Sequence, residues 1–437
     1  MTLRSHYVKE VFKLDTPSEV KLAGWIYRIR DLGGVKFLLL RDKTGIIQIV
    51  VKKDKAPKAY DVAETLTEES IVVVEGLTRK DERAPGGIEV LASNITVLNR
   101  AQKPLPLSLN RDMNNLGKRL DWRFLDLRNN LTQLIFIVKS EVANAIREYF
   151  RSKGFIEIFT SKIVAQATEG GANVFPLVYF GKEAFLAQSP QLYKQLMMAT
   201  GVDKVFEIGP VFRAEKHHTI RHLCEYHSVD YEMAFIEDYN EVMDIAEGLV
   251  RHVIRKLEKE MGSEIEEKFG PLPSIPKSVP RITIKEAYRT LRSMGRDIKE
   301  GDDLSSDEEE LLANFIKKEY GSDLFFITEY PWKIRPFYTM KKLDDPQYTY
   351  SFDLILRGLE IATGGQREHR YEVLVKQIKE KGLNPLSFRF YTEYFKYGMP
   401  PHGGAGLGLE RLVMKLLSLK NIREARLTPR DPERLFP

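Results

Sequence analysis

The sequence predicts an α+β protein in two parts: a small β-barrel, then a larger domain that mixes helices with long β-hairpins. Three observations carry this. Five short β-rich runs separated by turn residues fill residues 1–103. Apolar residues then recur at three- and four-residue spacing over 127–150, the period of a helix. Two later stretches, 206–235 and 350–363, read as hairpins whose strands carry charged side chains. A chain of 437 residues is too long for one ordinary domain, which agrees with the division.

Composition narrows the function classes. A chain that is 43% hydrophobic and 30% charged is of the globular type. No apolar run approaches the roughly 20 residues of a membrane span. The opening MTLRSHYVKE lacks the apolar core of a signal peptide. The single cysteine, Cys224, excludes an intrachain disulfide and argues against a zinc site. We therefore expect a cytoplasmic protein with no membrane partner. The net charge is +5, and residues 1–103 hold 18 Lys and Arg against 14 Asp and Glu. That excess is compatible with a polyanion docking on the barrel.

In the barrel, strands are expected at 20–29, 35–41, 46–51, 70–77 and 88–98, with a helix at 59–66 between the third and fourth. That order fits an OB-fold. Phe37 and Gln48 fall on neighbouring strands. An exposed Phe beside an amide stacks a base and hydrogen-bonds its edge, whereas an inward Phe37 is simply core. Residues 104–126 are expected to be a linker, since 103–118 carry two prolines and few large apolar groups. The helix of 127–150 ends at Gly154, and a strand starts at 155.

Further on, 168–171 (TEGG) is a glycine turn bearing Glu169, and 188–195 reads QSPQLYKQ. The hairpin 206–235 carries Arg213 and Glu215 two residues apart, hence on one face if the strand continues. Its tip is rich in Lys, Arg and His. Residues 262–348 contain four early prolines and an acidic run, 302–310, expected to be a solvated helix start with Ser306 as N-cap. We assign no chemistry there. In 350–363 a turn at Arg357-Gly358 sets Ile355 opposite Glu360, so Asp353 and Glu360 share a face. Two adjacent carboxylates suit a hard divalent cation, with the Thr363 hydroxyl as a further ligand; a structural ion-pair network is the other reading. Residues 400–411 form a glycine-rich loop expected to admit a nucleotide, with Arg411 in the first turn of a helix presenting Leu412, Val413, Leu416 and Leu417 on one side. No Walker loop is present.

These motifs, in this order, resemble the class II aminoacyl-tRNA synthetases of the aspartyl, asparaginyl and lysyl branch. FRAE, RHLxE and DxEMAF resemble motif 2, GLGxER motif 3, and helix-Gly-strand motif 1, the dimer element. Ser161 stands where that motif places a proline. GGxKFxxLRDxxGxxQ and QSPQLYKQ resemble archaeal-type aspartyl members. The resemblance implies an antiparallel catalytic sheet flanked by helices behind an OB barrel, in a homodimer. It implies activation of L-aspartate with ATP and transfer to tRNA-Asp, with tRNA-Asn added in relaxed members.

By the same resemblance Arg213 and Arg411 are catalytic. ATP is contacted by Arg213, Ala214, Glu215, Arg221, His222 and Leu223, and by Glu360, Gly408, Leu409, Glu410 and Arg411. Aspartate is held by Glu169, Gln191, Lys194, Arg213, Thr363 and Arg367. Mg²⁺ is held by Asp353, Glu360 and Thr363. The anticodon is read by Phe37, Gln48, Arg28, Tyr27 and Pro85, with Glu75 and Glu89 nearby. Physics supports the aspartate choice: a buried ammonium at Lys194 and a guanidinium at Arg367 suit a carboxylate and would be left unpaired by an amide. An asparagine-forming paralogue lacks the barrel, and a non-catalytic tRNA-binding protein has no need of Arg213, Glu360, Arg367 and Arg411 together.

Overall fold

The computed structural model describes residues 3–166, 173–215 and 219–437. The chain divides into two units, Met1–Ser108 and Leu109–Pro437. The first is a closed barrel of Glu19–Asp31, Val35–Asp42, Gly45–Lys52, Ile71–Lys80 and Ile88–Asn99. The first three strands form an antiparallel meander, the fifth runs parallel to the third, and the fourth closes on the first. Helix Pro57–Glu64 connects the third and fourth strands, opened by Pro57 at a position with no hydrogen bond to lose. Alternation sets the faces. Leu38, Leu40, Ile47 and Ile49 fill the barrel, so Phe37, Leu39 and Gln48 face outward.

The second unit is organised on an eight-stranded sheet. Its order is Arg281–Thr283, Leu324–Thr328, Ser351–Leu356, Leu359–Gln366, His402–Gly408, Glu225–Ala234, Lys204–Phe212 and Ile156–Glu157. Neighbours are antiparallel except the outermost pair at each edge, which is parallel. The expected antiparallel sheet is therefore mixed at its rims. Helix Asn130–Ser152 starts at Asn129, whose side chain accepts from the N–H of Leu131, and Gly154 follows with φ +80°, the left-handed turn the expected stop requires. This helix and Asn240–Phe269 cover one sheet face in a continuous apolar core.

Two expectations change here. Residues 116–126, expected in a linker, form helices Leu116–Asp121 and Arg123–Asp126, where Arg119 and Arg123 both pair with the buried Asp126 at 2.9 and 2.6 Å. The N-cap of helix Ser306–Tyr320 is Ser305, whose N–H donates to Glu308 Oε2 at 2.6 Å. Ser306 is the first helical residue.

Candidate functional site

One cavity of about 370 Å³ opens on the sheet face opposite the two long helices. Strand alternation aims side chains into it. In Glu225–Ala234, Val229, Tyr231 and Met233 pack toward the helices, so Ser228, Asp230 and Glu232 point the other way. Strand His402–Gly408 runs beside it, and the glycines expected in a nucleotide loop lie in this central strand instead. Two of them leave room for the neighbouring strand: a Cβ on Gly404 would overlap the Tyr231 carbonyl and Glu232 Oε2, and one on Gly406 would sit 3.1 Å from Asp230 Oδ1, while Gly406 and Gly408 also line the cavity.

At one end of the cavity two cations converge. Helix Gln191–Met198 carries Lys194, whose ammonium donates to Asp230 Oδ1 (2.9 Å) and lies 3.4 Å from Glu232 Oε2. Arg367 meets Glu232 side-on, Nε to Oε1 at 2.9 Å and Nη2 to Oε2 at 3.3 Å, and donates to the carbonyl of Gly404 at 2.8 Å. Lys194 and Arg367 are both buried and meet at one oxygen, Glu232 Oε2. Burial pushes the Glu232 carboxyl up, but Arg367 and Lys194 outweigh it and hold it below its ordinary value. Arg367, Gln191 and Asp230 line the cavity, while Lys194 stands one layer behind Asp230. Asp230 and Glu232 were missed as site residues. The DxE spacing was visible, but its inward direction follows only once the flanking apolar residues are placed on the helix side.

The other end is rich in arginine. Arg213 lies just past strand Lys204–Phe212 and still bonds across, its N–H donating to Cys224 O at 2.9 Å. The N–H of Glu215 then turns back to Arg213 O at 2.8 Å, so the strand geometry expected to put both side chains on one face ends here. Both nevertheless line the cavity. Ala214 donates its N–H to Asn173 O at 2.8 Å. Arg411, in the first turn of helix Leu409–Leu416, donates to the carbonyl and carboxylate of Glu360 at 2.9 and 3.3 Å. Burial, with Arg411 and Arg221 nearby, lowers His222 to about 4.

Gly408 caps the Arg411 helix, and Leu412, Val413, Leu416 and Leu417 are buried as its spacing implied. Leu223 packs with Met414, while Leu409 joins the main core. Glu410 lines the cavity and also anchors its floor, held by Lys139 (2.6 Å), Arg426 (3.2 Å) and the backbone N–H of His227 (2.9 Å). Arg221 pairs at 3.2 Å with Glu309. Glu309 belongs to the acidic run read as a solvated helix start; this member reaches the site instead.

Asp353, Glu360 and Thr363 share one face, and the two pairs nearest the turn keep the register expected. Leu356 opposes Leu359 and Ile355 opposes Glu360; a bulge then slips the pairing by one, so Asp353 opposes Thr363. Without that extra residue Thr363 would point away from Glu360. A further cation enters this face from 335–338, a stretch that resembles a family strand beside the pocket but to which the sequence assigns no chemistry: Arg335 pairs with Asp353 at 2.8 Å, donates to Thr363 Oγ1 at 3.1 Å and stacks 3.9 Å from the Tyr330 ring centroid. Among the described residues no group of three His, Cys, Asp or Glu forms a metal cluster. The donor set still fits a hard cation. It offers two carboxylates and a hydroxyl, and the buried Asp353 Oδ1 makes no hydrogen bond of normal geometry. Burial, reinforced by Glu360 and opposed by Arg335, raises the Asp353 carboxyl.

On the barrel, Phe37 opposes Val50 and Gln48 opposes Leu39, which makes them diagonal neighbours on the outer face. Phe37 is half-buried there and absent from the barrel core. Gln48 Nε2 donates to Glu89 Oε2 at 2.8 Å, and Glu89 in turn accepts from Arg79 Nε at 2.9 Å. Tyr27 is the extra residue of a bulge, beside Arg28 and Arg41. Pro85 is exposed in the Pro85–Gly87 turn, and Glu75 pairs with Lys21 at 2.8 Å. Glu169 lies outside the described residues.

Comparison with known proteins follows this geometry. Residues 115–432 match the family model described as tRNA synthetases class II (D, K and N), and residues 20–98 match the OB-fold nucleic acid binding domain. The chain is 52% identical to the aspartate–tRNA(Asp/Asn) ligase of Aeropyrum pernix, over 96% of this chain and 95% of that one. It is 49% identical to the aspartate–tRNA(Asp) ligase of Pyrococcus horikoshii over the full length of both. Among solved structures, the asparaginyl-tRNA synthetase of P. horikoshii with asparaginyl-adenylate aligns with a TM-score of 0.91 at 37% identity over 99% of each chain. The aspartyl-tRNA synthetase of Entamoeba histolytica aligns at 0.89 and 33%, covering 100% of this chain and 93% of that one.

Proposed function

The chain belongs to the class II tRNA synthetases of the D, K and N group, and from that premise we infer that it works as an aspartate–tRNA ligase. Full-length relatives near 50% identity carry that name. One observation of the site carries the choice of aspartate: Arg367 lines the cavity's inner end with Lys194 behind it, both held in a charge-balanced frame by Glu232 and Asp230.

Aspartate sits at this end and ATP among the arginines. The α-carboxylate oxygen of aspartate attacks the α-phosphorus, the bond to the bridging oxygen breaks, and pyrophosphate leaves. No protein base is needed, because the nucleophile is already an anion. Arg213 and Arg411 hold the phosphates in line and neutralise charge that grows as the bond breaks. Asp230, acceptor-only and lining the cavity, suits the substrate ammonium. Asp353, Glu360 and Thr363 would hold Mg²⁺, which supplies further charge neutralisation on the phosphates when bound. The terminal ribose hydroxyl of the tRNA then attacks the aspartyl carbonyl and AMP leaves.

The barrel presents Phe37 and Gln48 to the anticodon. A proline in the loop at 82–85 resembles the relaxed form, which also charges tRNA-Asn, whereas Tyr27 matches neither form. Exposed Phe159 and Ile156, beside the motif 1 helix, are covered by a second copy in a homodimer. ATP–pyrophosphate exchange with aspartate, asparagine and lysine tests the main reading: aspartate drives exchange, and exchange driven better by asparagine refutes it. Charging of tRNA-Asp and tRNA-Asn transcripts side by side tests the tRNA range, and strict rejection of tRNA-Asn refutes the relaxed form.

A further inference from the structure

We infer that His402 is a positioning residue for the amino-acid substrate, because it fixes which way the cavity-lining amide of Gln191 faces through a one-way chain of hydrogen bonds. The inference rests on the aspartate reading of this cavity and extends it to a side chain that does not line the cavity.

The chain runs through four buried side chains. Arg367 Nη2 donates to Gln191 Oε1 (3.4 Å), Gln191 Nε2 donates to Gln195 Oε1 (2.9 Å), Gln195 Nε2 faces His402 Nε2 (2.9 Å), and His402 Nδ1 faces the carbonyl of Pro400 (2.8 Å). Tyr391 adds a hydroxyl donor to Gln195 Oε1 at 3.1 Å. His402, Gln195 and Tyr391 are wholly buried, and Gln191 and Arg367 nearly so.

Both ends of this chain are fixed by chemistry. A guanidinium only donates, so Gln191 must turn its oxygen to Arg367 and its nitrogen to Gln195. Gln195 then has its oxygen engaged by two donors and must offer N–H to His402. From the other end, a carbonyl only accepts, so His402 must carry its proton on Nδ1. A neutral ring protonated there leaves Nε2 as the acceptor Gln195 needs. The two derivations meet with the same polarity. Burial lowers His402 to about 4, which keeps the ring neutral at ordinary pH.

The consequence falls on Gln191. With its oxygen committed to Arg367, the polar group it has left is an N–H. It presents a donor to the cavity, which suits an acceptor-rich dicarboxylate guest. A second proton on His402, or loss of its acceptor nitrogen, leaves this orientation held only from the other side, by the long 3.4 Å bond from Arg367 and by Tyr391.

Two measurements on the full chain test this. Long-range ¹H–¹⁵N correlation on wild-type protein labelled at histidine is expected to show His402 as the Nδ1–H tautomer, assigned by its loss in His402→Phe. An Nε2–H tautomer or an imidazolium at pH 7 overturns the inference. Separately, His402→Phe and Gln195→Met are expected to raise the aspartate KM in pyrophosphate exchange roughly tenfold, the scale of one buried hydrogen bond, and to leave the ATP KM unchanged. An unchanged aspartate KM, or equal rises for both substrates, overturns it. Wild-type protein that fails to exchange with aspartate defeats the underlying reading instead, and the tautomer measurement still decides the relay.

Discussion

The two ends of the cavity follow opposite electrostatic plans. At the inner end Lys194 and Arg367 are buried and already matched by Asp230 and Glu232, within a shell where the amides of Gln191 and Gln195 have a set direction. At the arginine-rich end Arg213, Arg221, Arg335 and Arg411 line the cavity, and a buried carboxylate oxygen of Asp353 lacks a normal hydrogen bond. The inner end is thus complete without a guest and selects by shape and donor placement. The outer end also pairs Arg221, Arg335 and Arg411 with Glu309, Asp353 and Glu360, but these pairs are more exposed than the inner ones, so a polyanion and a cation can exchange for them. The notion of two bare cations awaiting a carboxylate is corrected accordingly: the inner cations are neutralised from within, and the guest fits into a charge-balanced frame.

Substitutions at the two ends should therefore fail differently. The largest effect is expected from Lys194→Met, which strands Asp230 and Glu232 with one cation fewer; stability should fall by about 3–5 kcal/mol in urea denaturation. Arg411→Ala should leave the denaturation midpoint nearly unchanged and lower the pyrophosphate-exchange rate about 10²–10³-fold. If the first variant loses only rate, or the second unfolds, the contrast between the ends is wrong.

Acid titration probes the floor of the outer end. Burial pushes the Glu410 carboxyl up, but the hydrogen bond from His227 and the charge of Lys139 outweigh it and lower it to about 2 from an ordinary 4.5. A depressed carboxylate stabilises the fold above its unfolded value and loses that contribution as pH falls from about 4.5 toward 2. Thermal melts should therefore drop across that window, and Glu410→Gln should flatten the drop while starting from a lower plateau. A smaller effect is expected from Asp353→Asn: Mn²⁺ binding in the presence of ATP, followed by electron paramagnetic resonance, should weaken about 10-fold with no loss of fold. Unchanged Mn²⁺ binding would leave Asp353 as a partner of Arg335 alone.

How legible each part was follows from the range of the signal. Turn chemistry at Arg357-Gly358 is local, so the shared face of Asp353 and Glu360 was readable. The bulge that brings in Thr363 was not, because nothing local marks the extra residue. Phe37 was left open between core and surface, and the inward Leu38, Leu40 and Ile49 settle it as outward. The glycines of 403–408, expected in a loop, form a central strand, yet Gly406 and Gly408 line the cavity; room for a buried carboxylate and room for a ligand make the same demand on sequence. Arg335 and Glu309 come from 262–348, where sequence offered no period that aims a side chain at a distant strand. The inward face of Asp230 and Glu232 required knowing which side of the sheet the long helices cover.

The central claim is that the inner charge-balanced frame selects aspartate. The measurement closest to it is the ratio of kcat/KM for aspartate over asparagine in pyrophosphate exchange, in wild type and in Arg367→Leu. The account predicts a large ratio in favour of aspartate that collapses in the variant, with the ATP KM little changed. A ratio near one in wild type, or one that survives the loss of Arg367, would contradict it.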